Sequence, residues 1–449
     1  MWLVLIPMAL LFAIILLPIP RIGGNVMLGL LAAALAAALL GGLGPMAMIA
    51  AAISGIDKLS WVIMLSIFGS LYAEAQVRIG AMQTALDGFR ALFGRSTTGL
   101  VCAVILTLVL SGSLLGDAIA AATVIGLLVV PTLASLKLSG ERIAVIIVMG
   151  AVIGSGMPPI SQSFFLAASL TGIEPGQILG WAYATMSVSV VLAMFVGAWL
   201  ARGHTSAALL TAPEPLLRVL GQRWRTLIPM AVLLVIVIAA SLGFNVFERT
   251  PGLAELVAWL KGIPIVKGLA FRVVMAVIVA LAVSFAFRAV RQQAGAVVSS
   301  GLKNVAKTVQ IQLCAGVMVG VFYQAGLIDL VQQATAHLAA HWMAAAGGLA
   351  TIAVGMLTGS QTTSQTMIVS MMAPALTHLG NDPTHVAVGA AHLAMAGQSM
   401  PPVGLTTFVV TGLVGGIVGV KVDPVKTMLM ALPVTIYFTL VGFAFWFMG

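Results

Sequence analysis

The sequence predicts an all-α polytopic membrane protein with about ten transmembrane helices and two re-entrant hairpins, and three observations support this fold class. Of the 449 residues, 61% are hydrophobic and 7% are charged, whereas a soluble domain carries about 25% charged residues. The mean hydropathy of +1.14 excludes a disordered chain, because disorder requires low hydrophobicity. Apolar windows long enough to cross about 30 Å of hydrocarbon recur along the whole chain, as in a polytopic helical protein.

We expect ten full spans, and two further apolar regions differ from them. These regions, about 96–136 and 346–375, are interrupted near their middles by small polar residues. Such interruptions are typical of hairpins that enter the membrane and return to the same side. The ten expected spans are 2–20, 24–53, 59–77, 142–171, 177–201, 226–247, 268–287, 304–327, 386–413 and 428–448.

Loop charges predict the orientation of the spans. We expect both termini outside the inner membrane, and each hairpin returning to the side from which it enters. Most of the 21 Lys and Arg residues then face the cytoplasm, as the positive-inside rule requires. The formal net charge of +9 follows from this bias and does not indicate a nucleic-acid partner. The basic residues expected outside are Lys58, Arg249, Lys261, Lys267 and Arg272.

The two halves of the sequence share a pattern. Pro131 and Pro158 are separated by the same number of residues as Pro374 and Pro401. Each half also has a third helix, an amphipathic arm, a hairpin and a broken helix, and the third helices cross in opposite directions. This pattern predicts an inverted-topology repeat, as in many secondary transporters. The predicted divisions are a first repeat at 1–205 with a helix break at 157–159, a cytoplasmic connector at 206–225, a second repeat at 226–449 with a break at 400–402, and arms at 78–95 and 327–345.

The interruptions are the candidate binding sites, because non-helical backbone is tolerated in a membrane only where it is buried or lines a wet cavity. We place the two hairpin tips at 111–113 and 358–363. Paired prolines free carbonyl groups, which together with hydroxyl groups suit Na⁺, while helix N-termini suit a carboxylate. The alternative is that these interruptions are simple kinks in packed helices and bind nothing. The candidate substrate ligands are Ser111, Ser113, Ser161, Gln162, Ser163, Ser360, Gln361, Thr363, Gln398, Ser399, Thr406 and Thr407.

Asp117 lies one to two turns past the first predicted tip. Ionisable residues inside a membrane mark ion pathways or proton relays. A carboxylate at a helix N-terminus also complements the helix dipole. Both roles stay open for Asp117: a coupling site for Na⁺ or H⁺, or a structural cap.

The stretch from Pro374 onward carries a family pattern. Leu379-Gly380, Asp382-Pro383, His385 and the PPVGL motif at 401–405 resemble the hallmark of the large membrane subunit of tripartite ATP-independent periplasmic (TRAP) transporters. The resemblance covers about residues 60 to 448. It implies an elevator mechanism, coupling to Na⁺ and an organic-acid substrate. Carried over by position, it implies one ion site at Ser111, Gly112, Ser113, Gly156 and Met157 and another at Gly359, Ser360, Thr362 and Met400.

We therefore expect a secondary transporter, not an enzyme, that imports a small organic anion coupled to Na⁺ or H⁺ and needs no other cofactor. No Arg or Lys lies deep in a predicted span, so helix ends and hydroxyls are expected to hold the anion. The resemblance implies two partners, a small four-helix membrane subunit and a periplasmic solute-binding protein. A stand-alone homodimer, as in divalent-anion symporters and gluconate permeases, is the alternative. Without a nucleophile–base motif an intramembrane enzyme is a remote reading, and paired hairpins argue against a passive channel.

Overall fold

The computed structural model describes residues 2–16, 25–174, 176–204, 214–241, 244–327, 329–330, 333 and 340–448. All regular secondary structure in this part of the chain is helical. Among these residues seven helices are long and apolar enough to cross a membrane, or eight if one pair bent by 57° counts as a single span. The predicted class, an all-α polytopic membrane protein, is therefore confirmed.

The helices follow one another with short connections. They are Trp2–Leu16, Val26–Leu40, Pro45–Ile79, Ala81–Phe93, Thr97–Leu115, Ala118–Ser135, Gly140–Gly156, Gln162–Thr171, Gly176–Leu200, Leu216–Arg223, Ile228–Ser241, Val246–Arg249, Leu253–Lys261, Arg272–Ser284, Arg288–Arg291, Ala294–Gln324, Ala340–Thr358, Gln361–Ser364, Ser370–His378, Pro383–Ser399, Leu405–Val418, Pro424–Met430 and Leu432–Phe447, with 3₁₀ turns at Trp224–Leu227 and Val266–Ala270 and a π-helix at Gln365–Val369.

The two longest helices, Pro45–Ile79 and Ala294–Gln324, pack against each other along their length and are called the central pair below. Glycines allow their close approach. A Cβ atom added to Gly55 would lie 2.0 Å from the carbonyl oxygen of Gly316. Only glycine therefore fits at this crossing, which holds the two backbones in direct contact.

One predicted boundary is wrong. The expected loop between spans 24–53 and 59–77 is helical, and the turn lies instead at 41–44. Gly42 has a φ of 67° there, and Pro45 begins the next helix, which are the usual signals for a turn between helices. Asp57 does not interrupt the helix, because its carboxylate accepts a hydrogen bond from the Ile265 N–H at 2.8 Å. Lys58, which we expect in an outer loop between two spans, consequently lies within the helix Pro45–Ile79.

The first predicted arm is present as the helix Ala81–Phe93, which buries Met82 and Leu86. The connector packs on it, since Arg223 forms an ion pair with Asp87 at 2.7 Å. Residues 328, 331–332 and 334–339 of the second predicted arm, at 327–345, lie outside the described residues, as do residues 205–213 of the connector region. The exact limits of the two repeats remain a prediction.

Two hairpins and two broken helices form a second body, called the hairpin bundle below. The first hairpin packs on the first broken helix, and the second hairpin on the second. The bundle is interlocked, because the last part of each broken helix also packs on elements of the other half. Its parts are the first hairpin (Thr97–Leu115 and Ala118–Ser135), the first broken helix (Gly140–Gly156 and Gln162–Thr171), the second hairpin (Ala340–Thr358 and 361–378) and the second broken helix (Pro383–Ser399 and Leu405–Val418).

Paired glycines set the spacing inside the bundle. A Cβ on Gly112 would lie 2.6 Å from the backbone of Gly154, and one on Gly355 would lie 2.7 Å from that of Gly397. Both crossings occur at the same offset of 243 residues, which also relates the two Pro-Pro breaks (401 against 158). The predicted correspondence between the halves therefore recurs in their packing.

The position of the first hairpin tip corrects the prediction. The helix continues through 111–113 to Leu115, and the turn is formed by Gly116 and Asp117. Ser113 is tolerated inside the helix because its hydroxyl donates to the Leu110 carbonyl at 2.8 Å, a common way for serine to remain in a buried helix. The second tip, at Gly359 and Ser360, falls within the predicted range.

Candidate functional site

The first tip brings a carboxylate to the start of a helix. Gly116 ends the preceding helix with a φ of 66°, a conformation that glycine adopts without strain. Asp117 then caps the helix Ala118–Ser135, its Oδ1 accepting the Ala120 N–H at 2.7 Å. Gly116 packs closely against the stretch that follows the first helix break, near Ile160 and Gln162. The first tip therefore packs against the stretch that follows the break, although the tip lies at 116–117 and not at the predicted 111–113.

The second tip has the same backbone geometry with a neutral cap. Gly359 has a φ of 63°, and the Ser360 hydroxyl accepts the Thr363 N–H at 3.2 Å. Gly359 packs against Val403 and Leu405 after the second break. The two sites thus match position by position, but a carboxylate occupies the capping position in the first and a hydroxyl in the second.

A polar cleft of about 60 Å³ separates the first tip from the central pair. This volume exceeds the roughly 15 Å³ that a water molecule needs, so the cleft can hold a few water molecules or a small ion bound by the residues around it. Gln162 crosses the cleft, its Nε2 donating to the Ser66 hydroxyl at 3.3 Å. The cleft is lined by Leu115, Asp117, Ala120, Val124 and Gln162 of the bundle and by Ser66, Ser70, Ala73, Glu74, Val77, Asn304, Val305 and Thr308 of the central pair.

Sequence reasoning missed the residues that the central pair contributes. Ser66, Ser70 and Glu74 recur every four residues, which places them on one face of a helix. Asn304 and Thr308 have the same spacing on the other central helix. This stripe of polar residues within apolar helices is the sequence pattern that could have predicted the lining of the cleft. The Glu74 carboxylate is paired with Arg78 at 2.9 Å, so Asp117 is the carboxylate of the cleft without an ion-pair partner among the described residues.

A hydrogen-bonded chain joins the two halves of the bundle. Gln365, in the π-helix, donates through Nε2 to the Ser163 hydroxyl at 2.9 Å. Ser163 in turn donates to the Ala391 carbonyl at 3.1 Å. All of these groups are buried, so a predicted substrate ligand, Ser163, is engaged in holding the halves together. Gln365 Oε1 is buried and has no hydrogen-bond partner among the described residues.

Several predicted ligands of the first half lie apart from the tip. The Ser111 hydroxyl is directed at the Met82 sulfur, 3.0 Å away on the arm helix. Ser161 caps its own helix by accepting the Phe164 N–H at 3.4 Å. Gly112 and Gly156 serve close packing, against the Gly154 backbone and against methionine side chains respectively. Among the predicted residues of the first half, Asp117 and Gln162 line the cleft.

In the second half the structure brings several predicted ligands together. Gln398 donates to Gln361 Oε1 at 3.4 Å, and the Thr363 hydroxyl donates to that of Ser360 at 3.0 Å. The remaining predicted residues form no side-chain hydrogen bond to these pairs among the described residues. Met157, in the first half, and Met400 follow the helices before the two breaks, the Thr362 carbonyl accepts from Thr366, Ser399 donates to the Met395 carbonyl, and Thr406 and Thr407 are buried in the helix after the second break.

The described residues contain no cluster of three or more His, Cys, Asp or Glu side chains that could hold a metal ion. A cation at either tip would therefore be bound by hydroxyl, amide and main-chain carbonyl oxygens, with the Asp117 carboxylate added at the first. Such oxygen ligands suit hard cations.

Paired hairpins, paired helix breaks and a polar cleft between two helical bodies define a multi-pass membrane transporter. The YdaH transporter of Alcanivorax borkumensis, whose crystal structure shows an unusual topology, has a similar fold, with a TM-score of 0.58 and 16% identity over 88% of this chain and 85% of that chain. No curated protein sequence matches the chain.

Residues 8–447 match the family described as tripartite ATP-independent periplasmic transporter, DctM component. The chain belongs to this family, so the resemblance seen in its motifs is confirmed. It is thus a large membrane component of a secondary transporter, in a family whose members normally work with a small membrane subunit and a periplasmic binding protein.

Proposed function

We propose that this protein imports a small organic anion, a carboxylate, coupled to Na⁺ or H⁺ by an elevator movement of the hairpin bundle along the central pair. The observation that carries the proposal is the pair of matching tips at Gly116–Asp117 and Gly359–Ser360, each packed against a helix break. Among the described residues, the two bodies meet at the cleft and are joined by the hydrogen bonds Gln162–Ser66 and Ser169–Lys58, a weak connection that suits sliding.

The different charges of the two capping residues support different ligands at the two tips. A helix N-terminus attracts anions, but Asp117 already places a negative charge at the first one. This makes the first tip a better site for a cation or a proton. At the second tip the cap is the neutral Ser360, so the helix start there is free to attract a substrate carboxylate, with Gln361, Thr363 and Gln398 as hydrogen-bonding neighbours.

Family membership supports a tripartite assembly for this chain, with a small membrane subunit and a periplasmic binding protein. The alternative of a stand-alone homodimer makes a different prediction. Purified protein in liposomes would then take up free substrate without any added component. An obligate tripartite system requires both partners in the same assay.

The test is an uptake assay in proteoliposomes that hold the chain with and without its candidate partners. Radiolabelled mono- and dicarboxylates are supplied while a Na⁺ gradient and a pH gradient are imposed separately. We expect accumulation of at least one carboxylate with one of the two gradients, and none without a gradient. Equal uptake with and without both gradients would show a passive pathway and contradict the proposal.

A further inference from the structure

Two adjoining cavities lie beside Lys261, Lys267 and Arg272, three of the basic residues that we expect outside. One, of about 590 Å³, lies between the central pair and the hairpin bundle, and the other, of about 800 Å³, lies beside it and is lined in part by Glu248 and Lys261 of the short helices Val246–Arg249 and Leu253–Lys261. The first has the volume of a typical small-molecule pocket and is called the outer cavity below. The residues that it shares with its neighbour are Trp61, Gly172, Ile173 and Lys267.

Four of the five basic residues expected outside line these cavities, and most of them are paired. Lys267 forms an ion pair with Asp57. Glu248 lies 3.5 Å from Lys261 and 3.9 Å from Arg272. A hydrogen bond from Asn245, together with the charges of Arg272 and Lys261, lowers the pKa of Glu248, which keeps that carboxylate ionised. The positive charges of the larger cavity are therefore largely neutralised.

Lys58 in the outer cavity differs from these residues. Its Nζ lies 3.6 Å from the centre of the Tyr323 ring, a cation–π contact. None of the ion pairs among the described residues includes Lys58. The neighbouring Asp57 is held by Ile265 and Lys267, and Asp329, whose charge acts on Tyr323, is in none of the ion pairs among the described residues. The ammonium group thus keeps donors for a ligand, since an ammonium carries three.

The walls of the outer cavity suit a small organic anion. Trp61, Leu170 and Val319 supply apolar surface for a carbon skeleton, and the hydroxyl-bearing Ser370 and Thr377 lie on the side of the second hairpin. Both bodies contribute to the lining. The Ser169 hydroxyl of the bundle donates to the Lys58 carbonyl at 2.7 Å. The two bodies are therefore in direct contact where they line the outer cavity.

We infer that the outer cavity is a capture site for the carboxylate group of the transported anion, with the Lys58 ammonium as its charged ligand. This inference rests on the proposed function and on the predicted orientation. An unpaired cation in a cleft with low-dielectric walls concentrates anions and speeds their association. The site is distinct from the two hairpin tips, because none of the tip residues lines it.

Transport kinetics test the role of Lys58 wherever uptake is measurable. Lys58→Gln should raise the KM for the carboxylate about fivefold or more, as expected for loss of a steering charge, while the maximal rate falls by less. Lys58→Arg should restore most of the affinity, because the charge is kept. Arg249→Gln is the matched control, since Arg249 is an outer cation that stacks on Phe244 and lines neither cavity. An equal KM in Lys58→Gln and Arg249→Gln would overturn the inference.

If no carboxylate is transported, a second measurement tests whether an anion binds at Lys58. Purified wild-type protein is treated with an amine-reactive reagent in succinate, in pyruvate or in chloride at equal ionic strength, and labelling is measured by peptide mass spectrometry. We expect either carboxylate to slow labelling of Lys58 by about threefold or more, as an occupied anion site would, and to leave Lys421 unchanged. Protection without uptake supports the site and contradicts the proposed function. Uptake without a change in KM contradicts the site alone, and absence of both uptake and protection contradicts both.

Discussion

Asp117 and Ser360 occupy equivalent positions at the two hairpin tips, and their different charges carry the proposed division between cation and anion. Both cap a helix by accepting the N–H three residues on. The structure thus supports the capping role that the sequence left open for Asp117. It does not remove the second role, because the same carboxylate lines the cleft. The decisive experiment on Asp117 is therefore a substitution that keeps the helix cap and removes the negative charge.

Asp117→Asn separates them, because Asn caps a helix as well as Asp does. We expect the variant to fold normally and to bind the coupling ion at least about tenfold more weakly, a loss of about 1.4 kcal/mol. The measurement is the dependence of uptake on Na⁺ concentration and on pH.

Asp382→Asn is the matched control for that variant. Asp382 caps another helix, accepting the Thr384 N–H at 2.7 Å, but is exposed and lies outside the cleft. If both variants keep the ion dependence of the wild type, Asp117 acts as a structural cap alone.

Ser66 accepts hydrogen bonds from two amides, Gln162 Nε2 at 3.3 Å and Gln312 Nε2 at 3.0 Å. Ser66→Ala leaves both buried donors without this partner, which costs about 1–3 kcal/mol. We expect a lower apparent unfolding temperature in detergent than for Ser60→Ala. Ser60 lies on the same helix and its hydroxyl donates to its own helix, at the Asp57 carbonyl. Equal unfolding temperatures of the two variants would show that water in the cleft satisfies Gln162 and Gln312 when the Ser66 hydroxyl is absent.

The hairpins and broken helices depend on glycine crossings, which the sequence signalled only in part. The Pro-Pro breaks and the second tip could be placed from the sequence, because Pro removes backbone donors wherever it stands. The first tip was misplaced, since Ser-Gly-Ser has the composition of a turn. Its Gly112 is instead required where the helix crosses Gly154. Gly followed by a capping Asp at 116–117 was the better local signal, and partners distant in sequence decide between the two.

Gly154→Val tests the first crossing. The new side chain would meet the Leu108 carbonyl, which lies 2.8 Å from an added Cβ, and backbone cannot move aside as a flexible side chain can. We expect a destabilisation of at least about 1–3 kcal/mol, as for an overpacked core, seen as loss of monodisperse protein after detergent extraction.

Gly412→Val provides the control for that substitution. Gly412 is also a helical glycine of the bundle, in the second broken helix, but an added Cβ there meets nothing within 4 Å. Normal extraction of Gly154→Val, at the level of Gly412→Val, would contradict the packing described for the first hairpin.

Across the chain as a whole, composition and loop charges were enough to predict the membrane-protein class, because hydropathy depends on residue types alone. The arrangement of two bodies could not be read in the same way. Ser66 and Gln162, or Lys58 and Ser169, are brought together by tertiary packing between segments far apart in sequence. The polar face of the central pair and the outer cavity follow from that packing.

The central claim is that the hairpin bundle slides along the central pair. A disulfide between the two bodies tests it most directly. Gly69→Cys with Ile160→Cys, in a background where Cys102 and Cys314 are replaced by Ala, joins the central pair to the first helix break of the bundle, because a Cβ on Gly69 would lie 3.7 Å from Cγ2 of Ile160, close enough for a disulfide. Leu71→Cys with Gly301→Cys joins the two central helices to each other, because a Cβ on Gly301 would lie 3.1 Å from the Leu71 Cα.

Uptake is measured for each pair before oxidation, after oxidation and after reduction, with the crosslinked fraction determined on the same samples. We expect crosslinking of 69 to 160 to abolish uptake reversibly, and crosslinking of 71 to 301 to leave uptake at the level of its own reduced form. Full uptake by protein that is completely crosslinked between 69 and 160 would contradict the sliding movement.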